Sequence, residues 1–304
     1  MLFPLLEALL QKNKELCKLR IQEHLLSTGD CLPIYKSLFT YASQHALSDH
    51  TSMNAMIFSD CLVNLIQANS DKNAGRLQEK LIEYGIDYLC VIPTEPIDTT
   101  PLKPSRDEAK VVSIADLEES FDQDDVNMVI ASVRDLLTLM DNKRYFMEIM
   151  FRIALKKTPQ CLVLASATSR AIEIMGWQNN FTPFLIYHLL VRLYNEKTTF
   201  SFSERNTENA NIFEQSLDNV RSNDDLLFLA ASYRTYHDSK ILATQILPMI
   251  RTRLIDYFES RKGSDRLSGN SQSAMDNIVR HSCFLDLSTV QGMQALQSKN
   301  PFAV

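Results

Sequence analysis

Seven glycines stand among 304 residues, and this scarcity limits the folds open to the chain more than any other feature. Hairpins, dinucleotide-binding crossovers and phosphate-cradling loops all need glycine, where φ is positive or where backbone meets a ligand. The sequence holds no G-x-G-x-x-G, no G-x-x-x-x-G-K-[ST] and no G-x-S-x-G. It therefore argues against a conventional dinucleotide or nucleotide fold and against a hydrolase nucleophile elbow.

Helical periodicity fills the space that glycine leaves. Pro4 suits a first helical turn, and Leu5, Leu6, Leu9, Leu16, Leu19 and Leu26 keep helical spacing as far as Gly29. That pattern predicts one long first helix. Pro33 opens a second, Ser48 or Asp49 caps a third over about 51–68, and a fourth covers about 73–89. Residues 91–110 carry four prolines and read as a linker, a surface strap or a lid. Beyond them Ser113 caps a short helix and Asp124 or Asp125 caps a longer one. Further helices are expected over "KRYFMEIMFRIALKK", from Pro159 to Gly176, from Thr182, over 209–221, 224–236 and 239–261, and over 273–297. Pro248 is expected to kink or shorten the one that contains it. The only alternating apolar stretch, "TFSFS", is too short for a strand. The expectation is an all-α, irregular bundle of about a dozen helices, with an N-terminal segment 1–90, a linker or strap 91–112 and a main segment 113–304. No repeat signature supports a solenoid.

Composition fits a globular chain, with 45% apolar and 22% charged residues. The formal charge of -6, with basic residues interleaved among acids as in "RTRLIDYFESRK", argues against nucleic acid as a partner. Six cysteines lie far apart without a C-x-x-C, which reads as reduced thiols in a cytoplasmic protein. The start, "MLFPLLEALLQKNK", reads as a helix rather than a signal peptide, and no run of 18 apolar residues predicts a membrane span. An apolar small molecule and a second copy of the chain are the partners left open.

Chemistry in this chain centres on histidine. His24 follows Glu23 on a charged face and is expected to be exposed, and His188 lies in the apolar run "FLIYHLLVRL", where a core role is the simpler reading. His45, His50, His237 and His281 sit near helix ends or among polar groups, and Asp49 lies beside His50. Taken singly, each reads first as a structural residue and second as a general acid, base or ligand. Metal-ligand spacing is poor: H-E-x-x-H and E-x-x-H are absent, so no metal is expected. His237–Asp238 is similar to the dyad of metal phosphohydrolases, but His188 and Asp286 lack any supporting local pattern. "ADLEESFDQDD" lacks calcium-loop spacing and reads as a solvated helix start. Methionines 53, 56, 147, 150 and 175 read as core stripes. Trp177, Phe181, Phe184 and Tyr187 read as core or as the lining of an apolar pocket.

Three segments together resemble the questin-oxidase-like family, helical proteins associated with Baeyer–Villiger oxidation of polycyclic aromatic polyketides. They are "SDHTSMNAMIFSDCL" with "RLQEKLIEYGIDYL" after it, "YHDSKILATQILPMI", and "SAMDNIVRHSCFLDL". The chain is short for the family and departs from its pattern in two places. "PQCLVLASATSRAIEIMG" has no histidine where the family's middle helix carries one, and His281 comes late in its segment. The resemblance implies that His50, His237 and His281 converge on one pocket between helices. There they would polarise a ketone or ferry protons during oxygen insertion. It also implies use of reduced nicotinamide, although no glycine-rich site for it exists here. The rival reading is a non-enzymatic helical interaction protein with structural histidines.

Overall fold

The computed structural model describes residues 4–44, 50–68, 75–91, 102, 109–123, 125–200, 202, 212–220 and 223–260. Among these residues there are thirteen helices and no strand, so the protein is all-α. By contact the chain divides into two compact units. One comprises Met1–Thr100 with Ala167–His188, and the other Pro101–Ser166 with Leu189–Val304.

The first unit holds α1 (Pro4–Leu10), α2 (Lys14–Thr28), α3 (Leu32–Ala42), α4 (His50–Ala68) and α5 (Gly75–Leu89). The expected single first helix is thus two. The chain turns at Lys12, which takes φ 54. Asn13 N–H bonds the Ala8 carbonyl at 3.1 Å and Lys12 N–H bonds that of Leu9 at 2.9 Å. This is a Schellman closure with lysine in the left-handed position that glycine usually takes. Asn13 then caps α2 by accepting from Leu16 N–H at 3.1 Å, and Gly29, φ 66, ends it. Asp30 accepts from Leu32 N–H at 2.9 Å and so starts α3, with Pro33 in its first turn. Leu5, Leu9, Ile21, Ile34, Leu38, Phe39, Tyr41, Leu62 and Ile66 are fully buried and make the core of this unit. α4 meets α5 at Gly85, where an added Cβ would lie 2.2 Å from Leu62 Cδ2.

The second unit holds α6 (Ile114–Ser120), α7 (Val126–Leu139), α8 (Lys143–Lys156), α11 (Ile212–Asp218), α12 (Asn223–Asp238) and α13 (Ala243–Glu259). The division by contact falls within α9 (Pro159–Met175) and α10 (Thr182–Asn195). Ser113 forms a capping box with Asp116, and Asp125 and Asn142 cap α7 and α8 through their side-chain oxygens. α13 runs through Pro248 to Glu259 instead of stopping there. Its own N-cap, Leu242, has no side chain able to accept a hydrogen bond. Glu148 of α8 fills that role with a carboxylate that is 1% exposed. Its oxygens accept N–H donors from Lys240 at 2.8 Å, Ile241 at 2.9 Å and Leu242 at 2.6 Å. A buried anion here meets both the orphan amides and the positive end of the helix dipole. Of the proline-rich stretch, Leu102 is buried and Lys110 N–H reaches Asp135 at 3.3 Å.

Candidate functional site

His45, Asp49 and His281 lie outside the described residues, and so does the side chain of His50, whose backbone opens α4. The helix expected over 273–297 lies outside them as well. His237 occupies the last turn of α12 and is exposed. Its ring lies 4.3 Å from that of Tyr233 and 5.5 Å from that of Tyr236. Phe213 of α11 meets both tyrosines edge-on, at 5.1 and 5.4 Å. The neighbouring Asp238 carbonyl accepts from Arg144 Nη2 at 2.6 Å. Among the described residues no group of three or more His, Cys, Asp or Glu could hold a metal ion.

His188 is buried in α10, as its apolar context predicts. His24 is half-buried rather than exposed, and its Nε2 meets the Asp30 carbonyl at 2.9 Å. Met56, Met147, Met150 and Met175 are buried core residues. Trp177, Phe181, Phe184 and Tyr187 are half-exposed, with Phe181 and Phe184 in ring contact at 5.8 Å.

Within the first unit a polar group interrupts the core. Asp60 of α4 is 2% exposed and faces Arg170 Nε at 3.6 Å. Asn64, one turn further along α4, is 1% exposed, with no hydrogen-bond partner on either amide atom. Tyr35 of α3 bonds Cys31, and burial pushes its hydroxyl well above the usual range. This group joins an ion pair to an orphan amide, and the unpartnered amide is a cost that the surrounding apolar core offsets.

The second unit presents an open cleft of about 310 Å³ lined by Arg152, Lys156, Phe202, Gln245 and Met249. Its walls follow from helical spacing. Arg152 and Lys156 are one turn apart on α8, and Gln245 and Met249 are one turn apart on α13. Glu118 of α6 bridges both cations and meets Arg152 Nε at 2.6 Å. Gln245 Oε1 accepts from Arg152 Nη1. Two cations against one carboxylate leave a net positive charge at the mouth.

Phe202 closes the end. Thr199 and Phe200 donate N–H bonds to the Lys156 carbonyl at 3.0 and 3.2 Å, which fastens this segment to the end of α8. Phe200 meets Phe202 edge-on at 4.6 Å. The Arg253 guanidinium lies 4.7 Å from the Phe200 ring centre and donates to the Lys157 carbonyl at 2.8 Å. Burial draws that guanidinium below its ordinary value, against the pull of Asp256. So a fixed cation–π stack holds the aromatic wall.

Sequence reasoning missed this cleft. Its one local signal is the basic pair at four-residue spacing in "MFRIALKK", since the remaining walls come from 46 or more positions further along, at Phe202, Gln245 and Met249. Among the described residues no helix is long and apolar enough to cross a membrane. In comparisons with known proteins, the chain matches no family model, no curated protein and no solved structure.

Proposed function

We propose that the chain is a non-enzymatic helical binding protein whose second unit receives an anionic group carried on an apolar or aromatic body. One observation carries this reading: the cleft that sets Arg152 and Lys156 beside Phe202 and Met249. The cations attract a carboxylate or phenolate, while the ring and thioether accept flat apolar surface. Glu118 limits the electrostatic gain, so affinity rests on both halves acting together.

The test is calorimetric titration of the full chain with 2-naphthoate. A probe of about thirteen non-hydrogen atoms, at about 0.3 kcal/mol each, gives a Kd near 1 mM. The expected result is saturable binding that weakens several-fold in Phe202→Ala and again at high salt. Binding that ignores both changes would overturn the reading.

A second reading is a questin-oxidase-like oxidoreductase inserting oxygen into an apolar aromatic ketone. It is supported by the resemblance of the "YHDSKILATQILPMI" segment and by His237, whose imidazole lies among Tyr233, Tyr236 and Phe213, rings on which a planar ketone could stack. Oxygen uptake by the full chain with a polycyclic aromatic ketone and reduced nicotinamide tests it. Uptake that survives His237→Ala unchanged would count against that histidine as the acting group.

A further inference from the structure

Cys17 faces inward from α2 and is fully buried, and Cys90 directly follows α5 and is 5% exposed. Lys14 and Lys18 flank Cys17 along α2, and both reach the Asp87 carboxylate in the last turn of α5, at 3.5 and 4.0 Å. These ion pairs hold the start of α2 against the end of α5. There the Cys17 and Cys90 thiols hydrogen-bond each other. Tyr41 closes a third side: its hydroxyl donates to the Leu89 carbonyl at 3.1 Å, and its phenol neighbours both sulfurs.

We infer that Cys17 and Cys90 form a redox-responsive dithiol, which a hydroperoxide converts to a disulfide tying α2 to the end of α5. Cys90 is the attacking group, being the more exposed of the two. The hydrogen bond from Cys17, helped by Lys14 and Lys12, lowers its thiol from the ordinary value against burial and Asp87. That hydrogen bond, together with burial, raises Cys17. Such an asymmetric pair supplies one thiolate nucleophile and one resolving thiol.

The Cys90 thiolate attacks one peroxide oxygen. The O–O bond breaks, the alcohol (water, for hydrogen peroxide) leaves with the Cys90 proton, and Cys90 becomes a sulfenic acid. The Cys17 sulfur then attacks the Cys90 sulfur, the S–O bond breaks, and the hydroxyl leaves as water with the Cys17 proton. Two thiols lose two electrons and two hydrogens, and the peroxide is reduced to alcohol and water. Cys31 and Cys161 differ, since burial raises both and their neighbours are Tyr35 and Thr158.

The test treats the full chain with stoichiometric hydrogen peroxide, digests it without reductant and identifies linked peptides by mass spectrometry. The expected result is one Cys17–Cys90 link, an intact mass lower by two hydrogens, and full reversal by dithiothreitol. In Cys17→Ser the link disappears and dimedone labels Cys90 as a sulfenic acid. In Cys90→Ser dimedone leaves Cys17 unlabelled. Oxidation of the wild-type chain elsewhere while Cys17 and Cys90 stay reduced would overturn the inference. Equal labelling of Cys17 in Cys90→Ser would overturn the assigned order of attack.

Discussion

The Leu242 N–H donates to Glu148 Oε2 at 2.6 Å, across 94 positions of sequence. This bond begins α13, because Leu242 has no polar side chain of its own to cap the helix. Lys240 and Ile241 share the same carboxylate. Replacing Glu148 with alanine leaves three amides seeking partners at a site that is 1% exposed. The expected loss is about 3 kcal/mol by denaturant titration, against about 1–2 kcal/mol for Glu148→Gln, which keeps one acceptor oxygen. A Glu148→Ala chain as stable as wild type would show that water replaces the carboxylate.

Lys12 closes α1 with φ 54. A lysine in this region costs about 1–2 kcal/mol, which glycine avoids at some expense in unfolded-state entropy. Lys12→Gly should therefore raise stability, by about 0.5–1 kcal/mol. Thermal unfolding measures the sign directly.

Gly85 lets α5 approach Leu62, where a Cβ would stand 2.2 Å from the leucine side chain. Leu62 is fully buried, so it has little room to turn aside. Gly85→Ala should destabilise by about 1–3 kcal/mol. Combined with Leu62→Ala, the two losses should fall short of their sum, since the second change removes the clash of the first. A strictly additive double variant would place the strain elsewhere.

Burial lifts the hydroxyls of Tyr35 and Tyr41 above their ordinary 10.0, and the buried Cys161 thiol above 9.0. A folded-state value above the unfolded one gives stability that is complete below the unfolded value and is lost as pH rises past it. Stability should therefore begin to fall above about pH 9 and fall faster above pH 10, by about 1.4 kcal/mol per pH unit for each group. Cys17 and Cys31, also raised, add to the decline from pH 9, whereas Cys90, lowered, adds stability on the way up to pH 9 and no slope beyond it. Tyr35→Phe should flatten the decline above pH 10 without changing its onset. An unchanged slope would mean that Tyr35 ionises freely in the folded chain.

Local signals read well from the sequence wherever one residue does one job. Ser113 and Asp125 cap their helices, Gly29 and Gly176 end theirs with positive φ, and Pro4 and Thr182 stand at helix starts. The break at Lys12 did not read, because neither a glycine nor a proline marks it and the leucine spacing runs through it. Glu148 did not read either: within "FMEIMF" an acid looks like an outward-facing residue, and its partners lie just before the start of α13. The cleft depends on residues brought together from α8, α13 and the segment at Phe202, and helical periodicity carries no information on which helices become neighbours. Of the candidate histidines, the sequence placed His237 near a helix end, which it is, but not its ring contacts with two tyrosines.

The first unit takes in Ala167–His188 as well as Met1–Thr100, and this has a consequence for how the chain comes into being. During synthesis the N-terminal helices emerge long before Arg170, the ion-pair partner of Asp60, has been made. That ion pair cannot close until Arg170 has emerged, so the middle of the chain has to be threaded out before the beginning is finished.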